Sequence, residues 1–239
     1  MDPPTAGLPG TSDAIPATMD TMSATDMTLE IAAAAARLVV EEGMEYAGAK
    51  RRAARQLVGA GVRTSQLPDN DQLEAAVREY IAIFCADTQA AELAALRRLA
   101  LAWMDRLAPF RPHLCGAVWR GTATRASAVH LELYADDSKA AEIGLLDARV
   151  PYRVSASTGP RGDTVDQLVI DAPVSELSTV VPVCLTVLDH DDLRGRLRPD
   201  RQGRSERGDR AALQALLIDS GQHTPGTASR QAAFQEVRP

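Results

Sequence analysis

The stretch from residue 115 to residue 137 is the most informative part of the chain and reads Cys-Gly-Ala-Val-Trp-Arg-Gly-Thr-Ala-Thr-Arg-Ala-Ser-Ala-Val-His-Leu-Glu-Leu-Tyr-Ala-Asp-Asp. Apolar and other side chains alternate in its second half, with Val129, Leu131 and Leu133 on one side and His130, Glu132 and Tyr134 on the other. A period of two places alternate side chains on opposite faces of a strand, so we predict a half-buried strand here. The short apolar run Leu114–Trp119 predicts a second, buried strand.

The chain beyond this stretch continues mainly with strands. Residues 136–148 predict a helix, because apolar residues recur there at helical spacing. Three strands are expected after it, at Tyr152–Ala156, Val165–Ile170 and Val180–Leu188. The segment 157–163, which is rich in Gly, Ser and Asp, predicts a turn between the first two. A last helix is expected over about residues 209–218, followed by a polar tail.

Four helices are predicted before the strands, over about residues 26–42, 47–58, 71–84 and 88–107. Each has apolar residues at intervals of three and four, which is typical of a helix with one buried face. Gly43 ends the first helix, and Pro109 follows the end of the fourth. Asp71 and Glu74 have capping-box spacing at the start of the third.

This order of elements predicts an α+β fold in which an N-terminal helical part packs on a mixed β-sheet. The expected organisation is a disordered arm over residues 1–25, a helical subdomain over 26–110, an α/β part over 111–220 and a disordered tail over 221–239. The two ends are expected to be disordered because they are polar and show little periodicity.

Composition limits the classes of function. The 239 residues carry a formal net charge of −6 and only 4% aromatic residues. Proteins that bind nucleic acid over their whole surface are basic and often stack bases on aromatic rings, so we expect no general nucleic-acid binding. Three cysteines without a C-x-x-C pair, and no secretory signal, favour free thiols in the cytoplasm. No apolar run approaches the roughly 20 residues of a membrane span, so no membrane partner is expected.

The stretch quoted above resembles the signature of the polymerase-β-type nucleotidyltransferase superfamily. In that signature a strand ends in Gly-Ser or Gly-Gly, a loop carries a second Gly and a Thr, and the next strand holds Asp-x-Asp. Gly116 and Gly121 match the two glycines, whereas Ala117 departs from the usual Ser or Gly. The two acids are replaced by Ala128 and His130 in one register, or by His130 and Glu132 in a register two residues later.

The resemblance, which covers about residues 114–171, implies a nucleotidyltransferase-like sheet and a phosphorylated ligand. It implies that a nucleotide or similar molecule would bind the loop through Gly116, Arg120, Gly121, Thr122 and Arg125. In such enzymes a carboxylate cage holds a divalent metal, Mg²⁺ or Mn²⁺, that bridges the phosphates. By analogy the metal ligands would be His130, Glu132 and Asp166, and Glu132 and Asp166 would be catalytic. Because the acid pair is degenerate, the expected protein is a divergent member with doubtful transferase activity.

Three alternatives remain open from the sequence. His130 and Glu132 would lie on the solvent face of an amphipathic strand if they have no chemical role. The protein would then be a non-catalytic scaffold for protein partners, whose identity the sequence does not indicate. The arginine-rich segment 194–210 is either a solvated loop or a contact for an acidic partner. A muramate–alanine ligase is not expected, because the chain lacks a phosphate-loop motif and is too short for that multidomain enzyme.

Overall fold

The computed structural model describes residues 24–59, 66–159, 162–197 and 203–222. Most of the predicted disordered arm and tail therefore lies outside the described residues. The helices are α1 (Ala24–Glu42), α2 (Tyr46–Leu57), α3 (Asn70–Phe84), α4 (Gln89–Arg106), α5 (Gly116–Arg120), α6 (Ala140–Asp147), α7 (Asp192–Arg196) and α8 (Arg210–Gln222). The strands are β1 (His113–Cys115), β2 (Val129–Tyr134), β3 (Arg153–Thr158), β4 (Thr164–Val174), β5 (Thr179–Leu188) and β6 (Arg207–Gly208). None of the helices in these ranges is both long and apolar enough to cross a membrane.

Helices α1, α2 and α3 form a bundle with a core of its own. Ile31, Leu73 and Val77 are completely buried in it, together with alanines of α1 and α2. The start of α3 differs from the prediction by two residues, since the capping box is formed by Asp69 and Gln72 rather than by Asp71 and Glu74. Asp69 accepts from the Gln72 amide at 2.8 Å, and the Gln72 side chain accepts from the Asp69 amide at 2.9 Å. Glu74 is thereby free to turn inward.

Helix α4 belongs to the core of the sheet rather than to the bundle. Its residues Leu96 and Met104 are completely buried in one cluster with Leu131 and Leu133 of β2. Helix α8 contributes Leu213 to the same cluster. The larger core of the protein is therefore built between the sheet and these two helices.

The sheet is mixed and has six strands in the order β3-β4-β5-β2-β1-β6. Strand β2 lies between β1, to which it is antiparallel, and β5, to which it is parallel. The other neighbouring pairs are antiparallel. The mixed α+β architecture predicted from the order of the elements is thus confirmed.

The apolar run Leu114–Trp119 is not one strand, contrary to the prediction. β1 ends at Cys115, and Gly116 has a φ of +71° and begins the short helix α5. Glycine adopts a positive φ at little cost, so the chain can leave the sheet at this point. The apolar composition of the run reflects burial, which a short helix and a strand share.

The bundle and the sheet meet along the segment that joins α5 to β2. The Thr124 hydroxyl donates to the Val40 carbonyl at 2.9 Å, and Gln89 donates to the carbonyls of Gly121 and Ala123 at 3.0 and 3.1 Å. Gln89 thus satisfies two backbone carbonyls of the loop, and Thr124 of the loop satisfies a carbonyl in the last turn of α1. The cleft described next lies beside this junction.

Candidate functional site: a cleft between the helical bundle and the sheet

A cleft of about 760 Å³ lies where the bundle meets the sheet. Its walls come from the α1–α2 turn, the first half of α3, α5, β2 and residues 204–206. This size lies in the range of small-molecule sites, which is roughly 300–1,000 Å³. We call it the junction cleft.

The junction cleft contains three of the residues predicted as ligand or metal contacts, namely Gly116, Arg120 and His130. Gly116 lies directly against the imidazole, since a Cβ placed on it would be 3.5 Å from His130 Cδ2. That distance is an ordinary van der Waals contact, so the positive φ of Gly116, rather than a lack of space, favours glycine at this position. The α5 glycine and the β2 histidine are brought together because β1 and β2 pair antiparallel, with Cys115 opposite His130.

The other predicted loop residues, Gly121, Thr122 and Arg125, do not line the cleft. Thr122 is buried at 2% exposure. Arg125 turns towards α4 and the segment before β5, where its guanidinium donates to the Leu177 carbonyl at 3.2 Å and its amide to Glu92 at 2.9 Å. The predicted loop residues therefore fall into two groups. Gly116 and Arg120 line the cleft, whereas Arg125 attaches the loop to α4 and to the segment before β5.

Arg120 contacts the bundle from the sheet side of the cleft. Its Nε lies 3.2 Å from Glu74 Oε2, and its guanidinium carbon lies 5.1 Å from the centroid of the Tyr46 ring. A guanidinium at this position over a ring is attracted by the electron-rich face. Arg120 Nε and the Tyr46 hydroxyl are both buried and have no aligned hydrogen-bond partner.

Glu74 is the point at which three arginines converge. Its side chain is only 9% exposed, and Arg78 Nη2 donates to Oε1 at 2.8 Å. Arg120 approaches Oε2, and Arg204 Nη1 lies 3.9 Å from Oε1. Arg78 also donates to the Arg120 carbonyl at 2.9 Å, which ties α3 to α5.

His130 and Glu45 form a pair at the rim of the cleft. His130 Nε2 lies 2.9 Å from Glu45 Oε1. The hydrogen bond from the imidazole lowers the pKa of Glu45. Glu45 is therefore a carboxylate at neutral pH, and the imidazole is held with Nε2 towards it.

Glu132 does not lie on a solvent face, contrary to that alternative, and is instead buried at 5% exposure. Arg196 donates to both carboxylate oxygens, Arg207 Nε lies 3.0 Å from Oε2, and the Tyr134 hydroxyl donates to Oε2 at 2.6 Å. Burial raises the pKa of Glu132, but the hydrogen bonds from Arg196 and Tyr134 and the charge of Arg207 outweigh it, so the net shift is downward. The carboxylate is a structural anion that fastens α7 and β6 to the sheet.

Asp166 lies apart from His130 and Glu132. Gln167 is paired with Thr186 of β5, which is paired with Glu132 of β2, so these three side chains share one face. Successive residues of a strand alternate, so Asp166 points to the opposite face. There it is exposed and pairs with Lys139 at 3.3 Å.

The geometry does not fit a metal held by the three predicted ligands. Both Glu132 oxygens are engaged by arginines, and β5 presents Cys184 and Thr186 beside His130 and Glu132 instead of a third acid. Within the described ranges no group of three His, Cys, Asp or Glu side chains could hold a metal ion.

No protein family, curated protein or solved structure matches this chain. The chemistry of the junction cleft is therefore derived from its own residues.

The arginine-rich segment is mostly engaged within the protein. Among its described side chains, Arg196 and Arg207 pair with Glu132, and Arg210 pairs with Asp105. Arg204 pairs with Asp71 at 3.4 Å. These ion pairs favour a structural role for this part of the segment over a basic surface for an acidic partner.

Sequence reasoning missed Glu74, Arg78, Arg204 and Tyr46 as members of the cleft. Glu74 and Arg78 are separated by one helical turn, a spacing typical of an exposed ion pair. The signal that could have identified Glu74 was its place beside Leu73 and Val77, on the border of the apolar stripe of α3. A carboxylate at such a border is often drawn into a buried ion network.

Proposed function

We propose that this protein binds a phosphorylated small molecule, of which a nucleotide is the leading candidate, in the junction cleft. The observation that carries the proposal is the convergence of Gly116, Arg120 and His130 in one cavity of suitable size. These residues belong to the stretch that resembles a nucleotidyltransferase signature, although a nucleotidyltransferase-like fold remains part of the proposal.

The side chains of the cleft suit a phosphate. Arg78, Arg120 and Arg204 all line it, and guanidinium groups form paired, charge-assisted hydrogen bonds with phosphate oxygens. Gly116 leaves the backbone open beside His130, which permits close approach of a ligand. Trp119 and Tyr46 also line the cleft and offer ring surface for a planar base.

The residues of the site favour binding over transfer. Glu132 is held by Arg196 and Arg207 and would have to leave both to bind a metal. Mg²⁺ or Mn²⁺ would instead arrive with the ligand, because such ions are commonly held by phosphates, water and one or two carboxylates. Four carboxylates that form ion pairs line the cleft, and Glu45 has the most exposed side chain among them, at 75%.

Thermal unfolding with each of ATP, GTP, CTP and UTP, with and without Mg²⁺ or Mn²⁺, tests the proposal. A ligand at 100 times its dissociation constant stabilises the folded state by about 2.7 kcal/mol. For a chain of this size the midpoint should rise by roughly 5–10 °C. The absence of a rise with every nucleotide and metal would count against a nucleotide ligand.

A second candidate function, a scaffold for a protein partner, is favoured by a separate observation. A groove of about 600 Å³ runs between α1, α2 and α3, and Ile83 and Phe84 at its edge are 63% and 67% exposed. Large exposed apolar side chains that lie together often mark interaction sites. Recovery of one defined partner by the wild-type protein, and its loss with Phe84→Ser, would support this function; equal recovery with both would contradict it.

A further inference from the structure

The carboxylate of Glu74 lies among three arginines of the junction cleft. Arg78 and Arg120 approach its two oxygens at 2.8 and 3.2 Å, from α3 and α5 respectively. Arg204 adds a third guanidinium at 3.9 Å. Three positive charges thus approach one negative charge; the Glu74 side chain is shielded from water at 9% exposure, whereas those of Arg78 and Arg204 are about half exposed.

Of the other acids of the cleft, Asp71 is the one that pairs with one of these arginines in the described structure. Glu45 is paired with His130, Asp71 with Arg204, and Glu206 with Arg207. Arg78 and Arg120 have no carboxylate within ion-pair distance other than Glu74 in the described structure. Arg78 and Arg120 therefore share one carboxylate between them, which leaves one positive charge at the Glu74 site without its own carboxylate.

Two buried polar groups beside Glu74 also lack partners. Arg120 Nε is close enough to Glu74 to attract it but is not aligned for a hydrogen bond, and the Tyr46 hydroxyl has no partner. A buried polar group without a hydrogen bond destabilises the protein, because it has lost its contact with water and gained no partner. The guanidinium of Arg120 lies over the Tyr46 ring, so the two unsatisfied groups are neighbours.

We propose that Glu74 is an internal substitute for a phosphate group, and that a phosphate of the ligand displaces its carboxylate from between Arg78 and Arg120. A phosphate carries up to two negative charges and more acceptor oxygens than a carboxylate, so it matches the two guanidinium groups of Arg78 and Arg120 better. Its extra oxygen can accept from Arg120 Nε. The inference rests on the proposed function for the identity of the natural ligand, but the site itself can be tested with a simple anion.

Glu74 then limits the affinity of the cleft. A ligand binds only the fraction of molecules in which Glu74 has left the arginines, so the apparent affinity is lower than the intrinsic affinity by that fraction. Removing the negative charge of Glu74 should raise the affinity for a phosphate. This is the opposite of the loss expected for a residue that contacts the ligand favourably.

The test is calorimetric titration of the full chain with inorganic pyrophosphate, for the wild type, Glu74→Gln and Glu30→Gln. Glu30 is exposed on α1 and serves as the matched control for loss of one negative charge. We expect Glu74→Gln to bind pyrophosphate on the order of tenfold more tightly than the wild type. Glu30→Gln should bind like the wild type, and adding Arg120→Gln to Glu74→Gln should abolish the gain.

A folded Glu74→Gln protein that binds pyrophosphate no more tightly than the wild type would overturn the inference, as would an equal gain in Glu30→Gln. If Glu74→Gln does not fold, Glu74→Asp withdraws the carboxylate by one methylene and should still tighten binding, and no gain would contradict the inference. The nucleotide screen is separate. Tight pyrophosphate binding by Glu74→Gln, with no nucleotide bound by either Glu74→Gln or the wild type, would reject the nucleotide ligand and retain the anion site.

Discussion

Arg196 of α7 donates two hydrogen bonds to the carboxylate of Glu132 in β2, and both side chains are largely buried. Arg207 of β6 approaches the same carboxylate at 3.0 Å. The carboxylate of Glu132 therefore binds two arginines that lie 64 and 75 positions after it in the sequence. A glutamate that the sequence marks as a metal ligand acts in the structure as the anchor of the arginine-rich segment.

The first prediction concerns the stability that this anchor provides. Glu132→Gln leaves Arg196 and Arg207 buried beside a neutral amide, and breaking a buried pair in this way costs about 3–5 kcal/mol. The free energy of unfolding, measured with urea, should fall by that amount. Glu176→Gln removes an exposed partner of Arg98 and should cost at most about 1 kcal/mol. Equal losses for the two variants would show that the Glu132 cluster is not a buried anchor.

The second prediction is a pH dependence with a defined sign. The pKa of Glu132 is lowered in the folded protein, so the unfolded chain binds more protons as the solution is acidified. The stabilisation by Glu132 is therefore complete above the unfolded-state pKa of about 4.3 and is lost as the pH falls through the lower, folded value. The difference in unfolding free energy between the wild type and Glu132→Gln should be constant from about pH 6 to 8 and should shrink below about pH 4. A difference that grows with acid would contradict the assignment.

The third prediction concerns the turn that forms one wall of the cleft. Gly43 has a φ of +65°, and a Cβ there would collide with the carbonyl oxygen of Ala126. Gly43→Ala should therefore destabilise the protein by on the order of 3 kcal/mol, through backbone strain and overpacking. Gly48→Ala, within α2, meets nothing nearer than Met44 Cε at 3.4 Å and should be neutral or stabilising by up to about 1 kcal/mol. Urea unfolding of both variants separates the two outcomes.

The fourth prediction is a pattern of thiol reactivity. Burial raises the pKa of Cys115 to about 12 and that of Cys184 to about 11. Burial also raises the pKa of Cys85, which is nevertheless partly exposed. Because the thiolate is the reactive form, iodoacetamide at pH 8 should modify only Cys85 in the native protein and all three in denaturant. Mass spectrometry of the digested protein identifies the sites, and early modification of Cys115, which is also partly exposed, would contradict the strong rise in its pKa.

Much of the fold follows from local patterns. The strand β2 was predictable because its alternation extends over six residues, and the helices α1 to α4 because their apolar residues recur at helical spacing. The extension of β4 to Val174 was missed, since Asp171 and Pro173 are poor strand formers and are carried by pairing with β5. Residues 24–25 and 221–222, which were predicted to be disordered, belong to α1 and α8. Disorder of the remaining residues at the two ends stays a prediction.

The candidate site was less accessible to sequence reasoning. Gly116, Arg120 and His130 were identified and lie together, because the stretch that contains them is continuous in sequence. Glu132 and Asp166 were predicted as metal ligands because they are carboxylates on predicted strands. Strand order and register place Glu132 among arginines on one face of the sheet and Asp166 on the opposite face. Glu74 and Arg204 join the cleft through contacts between distant segments, which no local pattern specifies.

The most direct test of the proposed binding site compares two arginines of the same loop. Arg120 lines the junction cleft, whereas Arg125 donates to the Leu177 carbonyl away from it. The measurement is calorimetric titration of the wild type, Arg120→Ala and Arg125→Ala with the nucleotide that gives the largest thermal shift. Loss of a charge-assisted hydrogen bond costs about 1.5–3 kcal/mol, so Arg120→Ala should weaken binding roughly 10- to 100-fold. Arg125→Ala should bind within about twofold of the wild type, a change of less than 0.5 kcal/mol on the scale of about 1.4 kcal/mol per tenfold. Equal weakening by both variants, or no heat of binding for any of the four nucleotides, would contradict a nucleotide site in the junction cleft.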